Sequence, residues 1–137
     1  MKKMINTAFI YMIVGLVGGV FYREFTKFNG FVGKTSLGVV HTHFIVMGMV
    51  MFLLLACLVK AMPGLIENKR FKQFYTVYNI ALPFMGAMFI VRGVVQVLAI
   101  ELAKGPNAAI SGIAGISHIL MAVALFMLFS ALKKEAK

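Results

Sequence analysis

VVHTHFIVMGM, residues 39–49, places two of the three histidines of this chain inside an apolar run that is long enough to cross a bilayer. An ionisable side chain within a membrane span is costly, and such residues commonly mark a functional site. Residues i and i+2 of an α-helix lie about 200° apart around its axis, so His41 and His43 are predicted to face nearly opposite sides. The spacing therefore predicts that the two imidazoles serve different neighbours instead of gripping one ion together.

The composition of the whole chain is that of an integral membrane protein. Of the 137 residues, 61% are hydrophobic, and the mean hydropathy of +0.94 is far above the value of soluble domains. Apolar segments at residues 5–22, 37–59, 74–100 and 108–132 are each near or above the roughly 20 residues that a membrane-spanning helix needs. The sequence predicts an all-α membrane protein with four transmembrane helices in a single domain, residues 1–137.

The first apolar segment follows Lys2 and Lys3, as the apolar core of a signal peptide would. No small-residue cleavage site closes this segment, because it continues through Phe21 and Tyr22 into Arg23. We therefore expect it to be retained as a membrane span.

The basic residues predict the orientation. A net charge of +10 would suggest nucleic-acid binding in a soluble protein, but these residues lie mostly at the ends of apolar runs, so no nucleic-acid partner is expected. One side would carry Lys2, Lys3, Lys60, Lys69, Arg70, Lys72, Lys133, Lys134 and Lys137, and the other Arg23, Lys27, Lys34 and Lys104. By the positive-inside rule, both termini and the middle joint are predicted to be cytoplasmic, in a multi-pass protein of the cell membrane.

This topology places His41, His43, Arg92 and His118 together in the outer half of the membrane. Each has a structural interpretation. The imidazoles of His41 and His43 hydrogen-bond to a carbonyl or to Thr42, His118 forms a hydrogen bond between helices, and Arg92 snorkels outward or pairs with Glu101. Each also has a functional one: the histidines bind a metal, and Arg92 neutralises an anionic group such as a haem propionate. In the functional interpretation, Gln96, four residues after Arg92, supplies further donors.

The ligand types narrow the choice of metal. Imidazole suits zinc, copper and haem iron, whereas the spans lack the carboxylates or second cysteine that a hard-cation or thiolate site needs. Cys57, the single cysteine, is expected to be a small buried apolar side chain. Haem fits best, because it needs few ligands and much apolar surface, such as that of Phe44 and Phe89. The eleven methionines are more typical of packing than of copper handling.

The segment from Val39 to Gly48 resembles the histidine-x-histidine helix of haem–copper oxidase subunit I. In that family the two histidines of the motif ligate two different haems on opposite faces of one helix. The resemblance implies that His41 and His43 are axial ligands of haem b. That subunit consists of three arcs of four helices, with the motif on the second helix of an arc, so a homotrimer of this chain would resemble the whole subunit.

The chain also departs from the oxidases. It has no adjacent histidine pair for the copper site and no counterpart of the cross-linked tyrosine motif, so the resemblance implies a haem protein without a copper centre. Over its full length the chain further resembles a family of small four-span bacterial membrane proteins of unknown function, which implies no mechanism.

We therefore expect a b-type haem protein of the bacterial cell membrane that transfers electrons or binds haem or a gas and is not a complete oxidase. It is expected to be homo-oligomeric, preferably a trimer. Membrane lipid and an unspecified redox partner are its expected partners. Two alternatives remain at this point. One is a small oligomeric transporter of a metal ion or solute with a histidine-lined path. The other is an accessory membrane subunit of a larger complex.

Overall fold

Four long helices make up the computed structural model, which describes residues 1–136. They are α1 (Lys2–Phe28), α2 (Ser36–Ala61), α3 (Lys69–Val97) and α4 (Lys104–Glu135). Each is long and apolar enough to cross a membrane, so the predicted all-helical fold with four candidate spans is confirmed. Lys137, counted above toward the cytoplasmic charge, lies outside the described residues.

The helices start and stop at local hydrogen bonds, not at the edges of the apolar segments. α3 begins before its predicted span because the Asn68 side chain accepts a hydrogen bond from the Arg70 N–H at 2.9 Å, capping the helix. It ends before its predicted limit, where Ala99 adopts a φ of +49°, a conformation that an α-helix cannot continue through. α1 instead runs past its predicted end through charged residues to Phe28.

Consecutive helices pack against one another: α1 on α2, α2 on α3, and α3 on α4. The centre of the core is aromatic and aliphatic, with Phe52, Phe74, Tyr78 and Leu82 fully buried. The outer surfaces carry many large apolar side chains, as expected for helices that face lipid. Cys57 lies on this exposed surface, so the expectation that it is buried is wrong.

Glycines on α1 let α2 approach closely. A methyl group at Gly15 would lie 2.9 Å from the Ile45 side chain, and one at Gly18 would lie 3.2 Å from that of Val40. Small residues allow membrane helices to pack backbone to backbone. The close approach holds the histidine end of α2 firmly against α1.

The backbone of α2 is not a uniform α-helix. It opens with a 3-10 turn, Ser36–Val39, continues as one α-helical turn, Val40–His43, passes through a π-helical segment, Phe44–Val50, and returns to α-helix over Met51–Ala61. A π-helical segment is rare and frequently marks a functional site. Here it follows directly after the two histidines.

Candidate functional site

The first turn of α2 is fixed on the end of α3. The Thr35 hydroxyl donates to the Gly93 carbonyl at 3.0 Å, and the Ser36 N–H donates to Oε1 of Gln96 at 2.7 Å. A methyl group at Gly93 would lie 2.6 Å from the Leu37 nitrogen, so glycine is what permits this approach. Gln96, expected to add donors beside Arg92, instead accepts a hydrogen bond at the start of α2.

His41 and His43 face different helices. The His41 side chain lies over α1, where a methyl group at Gly19 would be 3.5 Å from its Cβ and 3.6 Å from its Cγ. The His43 ring lies against Phe89 of α3, with ring centroids 4.7 Å apart. The opposed orientation predicted from the i, i+2 spacing is therefore present in the structure.

The backbone engages one ring nitrogen of His43 and leaves the other as the position for a ligand. Its Nδ1 lies 2.8 Å from the Val39 carbonyl oxygen, and since a carbonyl only accepts, this nitrogen is assigned the proton. In the neutral form of the ring, Nε2 is then the nitrogen that carries the lone pair. A histidine that binds a metal usually donates its other ring N–H to a carbonyl or carboxylate in this way.

His118 of α4 repeats this arrangement. Its Nδ1 lies 2.9 Å from the Ala114 carbonyl oxygen, so Nε2 is again the nitrogen with a free lone pair. Its ring makes an edge contact with Phe89 at a centroid distance of 6.0 Å. Phe89 thus links His43 and His118, whereas His41 lies on the opposite side of α2.

His41 carries an unsatisfied buried atom. Its Nδ1 is buried, and no hydrogen-bond partner for it is found among residues 1–136. Buried polar atoms in proteins are almost always satisfied by protein, water or a ligand. The Nδ1 atom of His41 is therefore a buried polar atom whose hydrogen-bonding capacity the described residues leave unused.

Arg92 connects α3 to the beginning of α4. Its guanidinium donates to Oδ1 of Asn107 at 2.6 Å and to Oγ of Ser111 at 2.6 Å. Within residues 1–136 it forms no ion pair with Glu101 or any other carboxylate, so the pairing considered from the sequence is not present. The hydrogen-bond partners of this half-buried side chain are neutral, so no carboxylate among residues 1–136 compensates its positive charge.

The described chain does not enclose a metal site by itself. No group of three or more His, Cys, Asp or Glu side chains in residues 1–136 is placed to hold a metal ion. Beside His43, an open groove of about 270 Å³ is lined also by Thr42, Val46 and Met47. A large ligand at this histidine would therefore lie on the surface of the chain.

A second set of polar contacts, which the sequence did not predict, lies toward the end that carries both termini. Oγ1 of Thr7 and the Tyr75 hydroxyl lie 2.8 Å apart, and the Tyr11 hydroxyl donates to Oδ1 of Asn79 at 2.9 Å. Tyr78 donates to a backbone carbonyl of α2. The sequence places these tyrosines within the spans. A hydroxyl is far less costly in a membrane than an ionisable group, so it is a weaker sign of a functional site than a histidine.

Comparison with known proteins identifies a family whose function is unknown. The chain belongs to DUF2871, a family of proteins of unknown function, which matches residues 1–135. No curated protein and no solved structure matches the chain significantly. The predicted membership of a family of unknown function is confirmed, while nothing in these comparisons links the chain to the haem–copper oxidases.

Proposed function

We propose that this protein is a b-type haem-binding membrane protein of the cell membrane that transfers electrons or binds haem or a gas, without an oxidase copper centre. The main support is the pair His41 and His43, two imidazoles that face opposite sides of one membrane helix. Ionisable side chains within a membrane span are costly and commonly mark a functional site. An axial histidine is a common ligand of haem iron.

The donor chemistry fits the iron of a haem. His43 leaves Nε2 for a ligand because its Nδ1–H is held by the Val39 carbonyl, and His41 has an unsatisfied buried nitrogen. His118 presents Nε2 in the same way and is a secondary ligand or a neighbour of the site. Arg92, which lacks a carboxylate partner among residues 1–136, would neutralise a haem propionate.

The shape of the chain supports a site shared between copies. The groove at His43 is shallow, and His41 faces the other side of α2, so one chain cannot present both imidazoles to one flat macrocycle. A head-to-tail interface that closes into a ring would bring His41 of one copy toward His43 of the next. A trimer of this kind agrees with the resemblance of the chain to one arc of oxidase subunit I.

The absorption spectrum and the molecular mass of the purified protein test this proposal. The chain is expressed with adequate haem, purified in detergent, and compared with His41→Gln and His43→Gln. Cys57→Ser is the matched control, because Cys57 lies on the same helix and is exposed. We expect a Soret band in the wild type and the control, strongly reduced in both histidine variants.

Light scattering measures how many chains the pigmented complex contains. A pigmented monomer would contradict the shared site. Colourless protein that contains a metal ion and conducts ions into liposomes would contradict haem binding and support the transporter.

A further inference from the structure

The π-helical segment of α2 takes the α-helical hydrogen-bond donor away from one backbone carbonyl. In an α-helix the Met51 N–H would donate to the carbonyl four residues earlier, that of Met47. Here it donates to the carbonyls of Val46 and Gly48. The Met47 carbonyl is therefore released from its α-helical donor, in an apolar interior where a carbonyl without a hydrogen bond is strongly unfavourable.

Tyr78 of α3 supplies the missing donor. Its hydroxyl lies 2.7 Å from the Met47 carbonyl oxygen. The side chain is fully buried, at 0% exposure, and its ring is fixed by edge or tilted contacts with Phe52 and Phe74 at centroid distances of 5.7 and 5.1 Å. The donor is thus held rigidly at the position where the π-helical segment needs it.

The π-helical segment changes the direction in which the histidines point. A π turn contains one residue more than the α turn it replaces, and one residue corresponds to a rotation of about 100° around the helix axis. The far half of α2 is fixed in the core by Phe52 and Leu55, which are 0% and 1% exposed. Conversion of the segment to α-helix would therefore rotate the histidine half relative to this far half and change its contacts with α1 and α3.

We propose that Tyr78 is a positioning residue: it binds the released Met47 carbonyl, stabilises the π-helical segment, and so keeps His43 against Phe89 and His41 over α1. The effect of Tyr78 on haem binding rests on the proposed function, whereas its effect on the direction of the two imidazoles does not. The two effects have separate experimental readouts.

The direct readout is the distance between positions 43 and 89. In a Cys57→Ala background, the pair His43→Cys and Phe89→Cys is joined by a short bifunctional maleimide in the detergent-solubilised full-length chain. Adding Tyr78→Phe is expected to slow cross-linking by up to about tenfold, the factor that corresponds to one hydrogen bond lost from a buried carbonyl. Tyr75→Phe is the matched control, because it also removes one hydroxyl from α3 but its partner is Thr7 on α1.

A deletion variant tests the same idea without relying on Tyr78→Phe alone. Removing the exposed Val46 takes one residue out of the segment and is expected to slow the cross-link by itself. Tyr78→Phe should then have little further effect, since the released carbonyl no longer exists. Full additivity of the two changes, or a wild-type cross-linking rate in Tyr78→Phe, would overturn the inference.

The haem readout separates this inference from the proposed function. In the chain with its native histidines, Tyr78→Phe is expected to shift the haem absorption bands or lower haem occupancy, and Tyr75→Phe to leave both unchanged. If the wild type contains no haem but Tyr78→Phe slows cross-linking, the proposed function fails and the positioning role stands. If haem binds and neither the cross-link nor the spectrum responds to Tyr78→Phe, the positioning role fails.

Discussion

Replacing Gly93 with alanine is expected to destabilise the contact that fixes the histidine end of α2. The new methyl carbon would lie 2.6 Å from both the backbone nitrogen and Cγ of Leu37, against 3.4–4 Å for an ordinary contact. Leu37 has 0% exposure, so its side chain has no free space to move into. The crowding therefore has to be relieved by separating the ends of α2 and α3.

The magnitude follows from two opposing terms. Overpacking of a filled core usually costs about 1–3 kcal/mol, while alanine in place of glycine within a helix returns up to about 1 kcal/mol. Because the crowded atoms include the Leu37 backbone nitrogen, the cost lies in the upper part of this range, about 2–3 kcal/mol, and Gly93→Ala is expected to lower the free energy of unfolding by about 1–2 kcal/mol. The measurement is an SDS titration of the detergent-solubilised protein, followed by circular dichroism.

Gly105→Ala is the matched control for this prediction. Gly105 lies in the first turn of α4, and a methyl group there would meet nothing within 4 Å. This variant is expected to be at least as stable as the wild type. Equal stability of Gly93→Ala and Gly105→Ala would refute the argument from close approach.

Two further substitutions test other contacts. Arg92→Leu removes the hydrogen bonds to Asn107 and Ser111 and is expected to cost about 1–3 kcal/mol. It should also speed hydrogen exchange in the first turns of α4, and unchanged exchange there would count against the contact. Asn68→Ala removes both the α3 cap and the 2.9 Å bond to Glu135. A loss of about 1–3 kcal/mol is expected, whereas a loss below a few tenths, measured by the same titration, would show that the cap is unimportant.

The sequence was sufficient for features that depend on local chemistry. The four spans follow from hydropathy, because only a long apolar helix satisfies its backbone in lipid. The opposed directions of His41 and His43 follow from the fixed rotation per residue of a helix. Neither feature requires knowledge of which helices are neighbours.

Features that depend on distant partners were not predictable in this way. The π-helical segment requires a donor from Tyr78, which lies 31 residues after Met47. The neutral partners of Arg92 lie on the next helix, where the fold brings Oδ1 of Asn107 to 2.6 Å from its guanidinium. Spacing along the chain does not contain this information.

The most direct test of the central claim is the reduced-minus-oxidised absorption spectrum of the wild-type protein, purified in detergent after expression with adequate haem. The account predicts a b-type difference spectrum that disappears when His41 and His43 are both replaced by glutamine. A flat difference spectrum from folded, haem-supplied protein would contradict it.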